Sequence, residues 1–160
     1  MTFAELLNEA KIAPIEKRAI TNLNVLNEAY DYGSAFSRGM RIELGQFVLL
    51  LISGTASIDD QGRTLYAGDF RAQTRRTFEN IRALLESEGA TWKDIVRTTC
   101  YLRDIERDYQ AFNEERVNYY REQGLNPVPA STGIQAILCR PDLLIEIEAI
   151  AMFRRETPKE

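Results

Sequence analysis

The chain has 160 residues, which is enough for one domain with a sizeable core and an appendage. Its 20 basic and 24 acidic residues give a net charge of −4 without a basic block, which argues against a nucleic-acid partner. Histidine is absent, so the commonest general base and metal ligand is missing, and we expect neither a metal nor a cofactor.

The cysteines and the apolar stretches indicate the compartment. Cys100 and Cys139 form no C-x-x-C pair, which fits a reduced, cytoplasmic setting. The longest apolar stretch, residues 47–53, is far shorter than the roughly 20 residues of a membrane helix. The N-terminal residues lack the basic start and the long apolar run of a signal peptide. We therefore expect a cytoplasmic protein without a membrane partner.

Residues 1–32 predict an N-terminal helical extension. Thr2 and Glu5 form a capping box ahead of an amphipathic stretch that ends before Pro14. A second, weaker helical stretch covers residues 16–30. Apolar helix stripes of this kind usually pack against a core or another subunit, so we expect such a contact here.

After this extension the pattern changes to period two. Residues 36–44 and 46–58 predict two strands that are joined by a hairpin at Gly45. Residues 59–62 predict a turn, and residues 63–67 predict a short strand after it.

Two long helices are predicted next, each with a capping residue. Asp69 caps the first helix, which ends at Gly89 in the C′ position, and Asp108 caps the second. The apolar positions are Phe70, Thr74, Phe78, Ile81, Leu84 and Leu85 in the first helix, and Tyr109, Phe112, Val117 and Tyr120 in the second.

Three more strands complete the pattern, at residues 95–103, 131–138 and 142–153, and residues 154–160 read as a tail. Residues 33–153 are thus predicted to form one α+β domain. It has a mixed β-sheet of about six strands, and right-handed crossovers place both helices on one face of the sheet.

The other face of this sheet is expected to be apolar, because two helices cover only one face. Val48, Leu50 and Ile150 are predicted to lie there, and exposing them would leave a patch of roughly several hundred Å². Homo-oligomerisation would cover it. Glu146 and Glu148 are two residues apart, so they share one side of the last strand, at or near a subunit boundary.

Three segments, "DFRAQTR", "DIVRTTCYLRD" and "LLIEIEAIAM", occur in this order. Together they resemble the Rid family of enamine/imine deaminases, also called the YjgF family, and the resemblance covers about residues 33–153. It implies a chorismate-mutase-like subunit that forms a homotrimer with a ligand cleft at each subunit interface.

The resemblance also implies site residues. Glu146 matches the carboxylate that orients or activates water in the deaminases, and Ser53 and the backbone around Gly133 are retained. Two positions depart from the family pattern. Ser131 in "PAST" stands where the deaminating members carry an arginine that clamps the substrate carboxylate. Phe36 stands where they carry a phenolic hydroxyl.

Arg38 and Arg140 are the cations nearest to these segments, and either is a candidate for the missing clamp. The segments "FSRG", "SGTAS" and "CRPDLLIEIE" also resemble the catalytic half of chorismatases. The candidate catalytic residue is Glu146, and the candidate ligand-binding residues are Phe36, Arg38, Ser53, Ser131, Thr132, Gly133 and Arg140.

The resemblance favours a small-molecule hydrolase or deaminase that acts on an imine, enamine or enol-ether carboxylate, with Glu146 positioning water. The alternative is a non-catalytic trimer of the same fold that binds a ligand or a partner. RNA cleavage ranks third, because the chain is acidic.

Overall fold

The computed structural model describes residues 15–21, 26 and 35–155. Within these residues, six strands and two long helices form an α+β domain, which confirms the predicted class. The elements are β1 (Glu16–Ala19), β2 (Gly39–Leu44), β3 (Phe47–Ala56), α1 (Phe70–Ser87), a 3-10 turn (Trp92–Asp94), β4 (Ile95–Leu102), α2 (Ile105–Glu122), β5 (Ala130–Gln135) and β6 (Ile145–Arg154).

The six strands form one mixed sheet in the order β1-β2-β3-β6-β4-β5. All neighbours are antiparallel except β4 and β5, which are parallel. Both helices pack on one face, as predicted, and the core lies beneath them. β6 lies in the middle of the sheet, between β3 and β4. It contributes four buried residues to the core: Ile145, Ile147, Ala149 and Ala151.

The face of the sheet that α1 and α2 leave uncovered is called the open face below. Leu51 pairs with Ile150 and Leu49 with Met152 on this face, where Leu51 is 39% and Met152 44% exposed. The predicted apolar second face is therefore present. Ile150 lies on it as expected.

Val48 and Leu50 do not lie on the open face. Both are fully buried, and Leu50 pairs with the core residue Ala151, so their assignment to the uncovered face is wrong. Successive residues of a strand point to opposite faces of the sheet. An assignment that is off by one residue therefore places the core residues on the open face and the open-face residues in the core. Leu49 and Leu51 take the predicted role instead.

The predicted hairpin and the first helix are confirmed. Leu44 pairs with Phe47 across a turn in which Gly45 has a φ of +60°. The Asp69 side chain accepts a hydrogen bond of 3.0 Å from the backbone N–H of Ala72, which caps α1 at its N-terminus.

The short strand predicted at residues 63–67 is wrong. Within the described residues this stretch makes an isolated bridge, between Ile58 and Thr64, rather than a strand. Asp59 holds the turn that precedes it, because its Oδ1 accepts from the backbone N–H of Arg63 at 2.8 Å. The sixth strand of the sheet comes from elsewhere in the chain.

That sixth strand is β1, so the helical prediction is wrong for residues 16–19. β1 pairs antiparallel with β2 at the edge of the sheet, and Arg18 forms an ion pair of 2.6 Å with Glu88 at the end of α1. These tertiary contacts override a weak helical pattern. The sheet therefore begins before residue 33, and the helix predicted to end before Pro14 lies outside the described residues.

The predicted cap of the second helix is also wrong. Asp104 caps α2, since its Oδ1 accepts from the backbone N–H of Arg107 at 3.0 Å. Asp108 lies one turn further on, buried, and pairs with Arg107. Tyr109 and Val117, predicted on the apolar side, are 50% and 52% exposed. The buried aromatic residues of α2 are Phe112, Tyr119 and Tyr120.

The sheet reaches further towards the C-terminus than predicted. Arg154 belongs to β6, and the backbone N–H of Arg155 donates to the carbonyl of Gln46 at 2.9 Å. The first two residues of the predicted tail are therefore ordered against the hairpin.

Neither α1 nor α2 is apolar enough over its length to cross a lipid bilayer.

Candidate active site

Glu146 lies in β6, where it pairs with Ala56 of β3 on one side and Tyr101 of β4 on the other. Its side chain is half-buried and lines a cleft of about 460 Å³ at one end of the sheet. This cleft is called the Glu146 cleft below. Five of the predicted site residues line it: Phe36, Arg38, Ser53, Arg140 and Glu146.

A β-bulge makes room for the Glu146 carboxylate. The pairing of β3 with β6 shifts register between Ile52 and Thr55, so that two residues, Ser53 and Gly54, lie opposite the single residue Glu148. A Cβ atom on Gly54 would overlap Oε1 of Glu146 and lie 2.9 Å from its Cδ. The carboxylate therefore occupies the space that any other residue at position 54 would fill.

Burial raises the pKa of Glu146, and the negative charge of the neighbouring Glu148 raises it further. Glu146 consequently holds its proton at a higher pH than an exposed glutamate does. Burial and the charge of Glu148 also raise the pKa of Tyr101, which lies beside both carboxylates. The site thus contains a carboxyl group that is suited to both giving and taking a proton.

Arg38 contributes a nearly buried positive charge to the cleft. It is 5% exposed, and its Cζ lies 5.5 Å from the ring centroid of Phe36. This is within the range of a cation–π contact, so the phenylalanine at position 36 helps to fix the guanidinium.

Ser53 lines the cleft with its two donors already bonded inside the protein. Its Oγ donates to the carbonyl of Ser37 at 2.7 Å, and its backbone N–H donates to the carbonyl of Arg38 at 3.1 Å. Ser53 therefore fastens the segment that carries Phe36 and Arg38 to the bulge. Its role in ligand binding stays a prediction.

The loop between β5 and β6 forms the other wall of the cleft. Gln73 of α1 holds it, because its side chain donates to the carbonyl of Asp142 and accepts from the N–H of Leu144, both at 2.8 Å. Arg103 donates to the carbonyls of Leu143, at 2.5 Å, and Arg140. These bonds fix a loop that has no regular secondary structure.

Arg140 points from this loop towards the turn after β3. Its Nη1 donates to the carbonyl of Gly62 at 2.5 Å, so the arginine ties the loop between β5 and β6 to that turn.

Three of the predicted ligand-binding residues do not line the Glu146 cleft of the same chain: Ser131, Thr132 and Gly133. They lie on the edge strand β5 and are exposed. Ser131 pairs with Thr98 on the helix-covered side, where the Thr98 hydroxyl donates to Ser131 Oγ at 3.0 Å. Thr132 points to the opposite side and accepts from Arg97 at 3.1 Å. Their role in ligand binding stays a prediction.

Sequence reasoning missed Gly54, Cys139 and Leu143, which also line the cleft. The β-bulge that requires a glycine at position 54 leaves no recognisable pattern in a single sequence. Cys139 is exposed, whereas Cys100 is buried. Within the described residues, no three acidic or cysteine side chains come together as ligands for a metal ion.

Comparison with known proteins agrees with this fold. The sequence matches the model of the family described as endoribonuclease L-PSP over residues 28–153. A RutC family protein of Pyrococcus abyssi is 36% identical over 110 residues, which are 69% of this chain and 81% of that protein. The 3-aminoacrylate deaminase RutC of Acinetobacter baylyi is 34% identical over 103 residues, 64% of this chain and 78% of that protein.

Two solved structures have the same fold. The YjgF gene product of E. coli superposes with a TM-score of 0.70 at 26% identity, over 86% of this chain and 99% of that chain. The Rid family protein YyfA of Yersinia pestis superposes with a TM-score of 0.71 at 26% identity, over 85% of this chain and 98% of that chain.

The fold and the cleft define an α+β protein of the YjgF-like class, with a glutamate held over a glycine bulge. The chain belongs to the endoribonuclease L-PSP family, also known as the Rid, YjgF or RutC family. The resemblance seen in the three sequence segments is thereby confirmed.

Proposed function

We propose that this protein is a deaminase-like hydrolase that converts a small enamine or imine carboxylate into the corresponding oxo acid and ammonia. The observation that carries the proposal is the half-buried Glu146 carboxyl group with its raised pKa, placed over Gly54 in a cleft. Arg38 and Arg140 line the same cleft, and their charge favours an anionic ligand. The 34% identity to a 3-aminoacrylate deaminase supports the same chemistry.

Protonation comes first in the proposed reaction. The neutral Glu146 carboxyl group gives its proton to the β-carbon of the enamine. The C=C electron pair forms the new C–H bond, the nitrogen lone pair forms C=N, and an iminium ion results. The raised pKa of Glu146 increases the protonated fraction that this step needs.

Water addition follows. The Glu146 carboxylate takes a proton from water as the oxygen bonds to the iminium carbon, and a carbinolamine forms. Glu146 then gives its proton to the nitrogen, the C–N bond breaks and ammonia leaves. The hydroxyl group forms the C=O bond and returns its proton to the Glu146 carboxylate, which restores the neutral carboxyl group. A neutral imine first takes the Glu146 proton on its nitrogen, which gives the same iminium ion and the Glu146 carboxylate. An enol ether follows the course of the enamine, with an alcohol as the leaving group.

A homotrimer with clefts between its subunits is part of the proposal. The open face carries Leu49, Leu51, Ile150 and Met152, and an apolar surface of this kind is usually covered by a partner. The edge strand β5 is exposed along its whole length, which leaves backbone donors and acceptors for another subunit.

An endoribonuclease role, the activity in the family's description, is less favoured for this chain. A net charge of −4 provides no field that would hold a phosphate backbone.

The proposed function is tested by incubating the full-length protein with enzymatically generated 2-iminobutyrate, with 2-aminomuconate and with chorismate. We expect ammonia release above the spontaneous rate from at least one of the first two. Chorismate turnover without ammonia release would instead indicate an enol-ether hydrolase. No turnover of any of the three, with binding still seen by calorimetry, would favour a non-catalytic binding protein.

Gly54→Ala tests whether the bulge positions the carboxylate. The added methyl group meets the flexible end of Glu146 rather than backbone, so the fold should tolerate it while the carboxylate moves. We expect kcat to fall by about 10- to 100-fold, the effect of misplacing a reacting group by roughly 1 Å. Thermal unfolding should shift by less than about 2 °C. Wild-type kcat in a folded Gly54→Ala variant would refute this role of the bulge.

A further inference from the structure

A second hollow lies between α2 and β5, on the helix-covered side of the sheet. Its volume is about 460 Å³, and its lining includes Arg116, Tyr120, Arg121 and Ser131. It is called the α2–β5 hollow below. The mechanism proposed above does not use any of these four residues.

Arg116 is held in a fixed position in this hollow. Its Cζ lies 4.8 Å from the ring centroid of Phe112, Nη2 donates to Asn113 Oδ1 at 2.5 Å, and Nη1 donates to Ser131 Oγ at 3.1 Å. In the described part of the chain neither Arg116 nor Arg121 forms an ion pair. The hollow therefore has a positive charge that no acidic side chain of the described residues neutralises.

The neutral polar groups of the hollow also suit an acceptor. Ser131 Oγ accepts from the hydroxyl of Thr98 and from Arg116, so its own proton remains for another acceptor. Cys100 Sγ lies 3.9 Å from Ser131 Oγ and is only a weak acceptor for this proton. Tyr120 is 7% exposed, and its buried hydroxyl makes no hydrogen bond within the described residues. A carboxylate is bound by hydrogen-bond donors that are held in place and are not already paired with an acidic side chain, and the hollow provides such donors.

The sheet separates this hollow from the Glu146 cleft of the same chain. Ser131 pairs with Thr98, whose side chain is buried on the helix-covered side, whereas Glu146 pairs with Tyr101 and points to the open face. A small ligand cannot touch both groups within one protomer. Both can contact one ligand only if the exposed β5 edge of one copy closes the cleft of the next.

We propose that Arg116 is the cation that binds the ligand's carboxylate, and that it does so in the Glu146 cleft of a neighbouring copy. This inference rests on the proposed function and adds the residue that selects carboxylate substrates. Three exposed apolar residues favour a second copy as the partner of this edge: Ile134 within β5, 42% exposed, and Val128 and Ile137 beside it, 61% and 96% exposed.

The carboxylate contact is tested by calorimetry, which does not depend on turnover. The probes are 2-oxobutyrate and its uncharged amide. Arg116→Met keeps the aliphatic packing on Phe112 and removes the charge, so we expect the Kd for 2-oxobutyrate to rise about 10- to 150-fold, as for a lost charged hydrogen bond. The Kd for the amide should stay unchanged. Arg82→Met, which removes an arginine paired with Glu79 on α1, is the matched control and should bind both probes normally.

Sharing between protomers is tested by subunit complementation. Arg116→Met and Glu146→Gln chains carrying different tags are co-expressed, and trimers containing both chains are purified. In a cyclic trimer one of the three interfaces then combines an intact Arg116 with an intact Glu146, so about one third of wild-type turnover should return. Turnover that stays at the level of the two parent variants would overturn the sharing of the site.

The two proposals fail in different ways. Unchanged 2-oxobutyrate affinity in Arg116→Met, with normal ammonia release by the wild type, refutes the role of Arg116 and leaves the deaminase intact. Binding of 2-oxobutyrate that depends on Arg116, without turnover of any substrate, supports the carboxylate site and refutes the enzyme.

Discussion

Glu146→Gln is expected to lower kcat by about 10²- to 10⁴-fold, the usual contribution of a positioned general acid–base group. Glutamine keeps the size of the side chain over Gly54 but neither gives a proton to carbon nor takes one from water. The KM for the carboxylate substrate should change little, because the charge that binds the ligand lies elsewhere. Ammonia release measured by a coupled assay gives both constants.

Glu148→Gln is the matched control, since it removes a carboxylate from the same side of the same strand. It should change kcat by less than about tenfold, and only by altering the pKa of Glu146. Equal losses in the two variants would mean that neither glutamate is specifically catalytic.

The pH dependence of unfolding provides the folding control. The folded-state pKa of Glu146 is raised, so the folded state holds this proton more tightly than the unfolded chain. The stabilisation is present below the ordinary value of 4.5 and is lost as the pH rises through the folded pKa. Glu146→Gln should therefore unfold roughly 1–3 °C higher than the wild type at pH 8, and at about the same temperature at pH 4.

Glu88→Ala is expected to destabilise the protein by about 2–3 kcal/mol. The Glu88 side chain is 3% exposed at the end of α1, and its two oxygens accept from Arg18 at 2.9 and 2.6 Å. Arg41, 11% exposed, donates to the same carboxylate at 3.3 Å. Removing the carboxylate takes away one of the two ion pairs of Arg41 and leaves its pair with Glu43, and Arg18 of β1 loses its link to the end of α1.

The expected loss of stability is smaller than is usual when a buried ion pair is broken, because Arg18 is 58% exposed and water screens part of its charge. The unfolding midpoint should fall by about 5–10 °C, measured by circular dichroism. Hydrogen exchange should also accelerate at residues 16–19, since the Arg18 pair ties β1 to the helix.

Glu114→Ala is the control for this prediction. Glu114 is 46% exposed and pairs with Arg71 between the two helices, so water screens this pair and its loss should destabilise the protein much less than the loss of Glu88. Equal destabilisation by the two variants would show that burial of Glu88 is not what makes its ion pairs matter.

Local patterns in the sequence were sufficient for the regular elements of the domain. The hairpin at Gly45, the cap at Asp69 and the alternation of β6 each depend on residues only a few positions apart. The same alternation correctly placed Glu146 and Glu148 on one side of a strand whose other side is core. Local patterns failed at β1 and at the cap of α2, where the Arg18–Glu88 pair and the competing Asp104 decide the outcome.

The sequence by itself thus determined the α+β class and the family, and it predicted Glu146 as the candidate catalytic residue. Only the tertiary structure decided what surrounds that glutamate. The bulge at Gly54, the loop held by Gln73 and the position of Arg116 beside Ser131 all join residues that are far apart in the chain. Contacts of this kind arise from packing and strand register, and these are set by the whole folded chain rather than by any short segment of it.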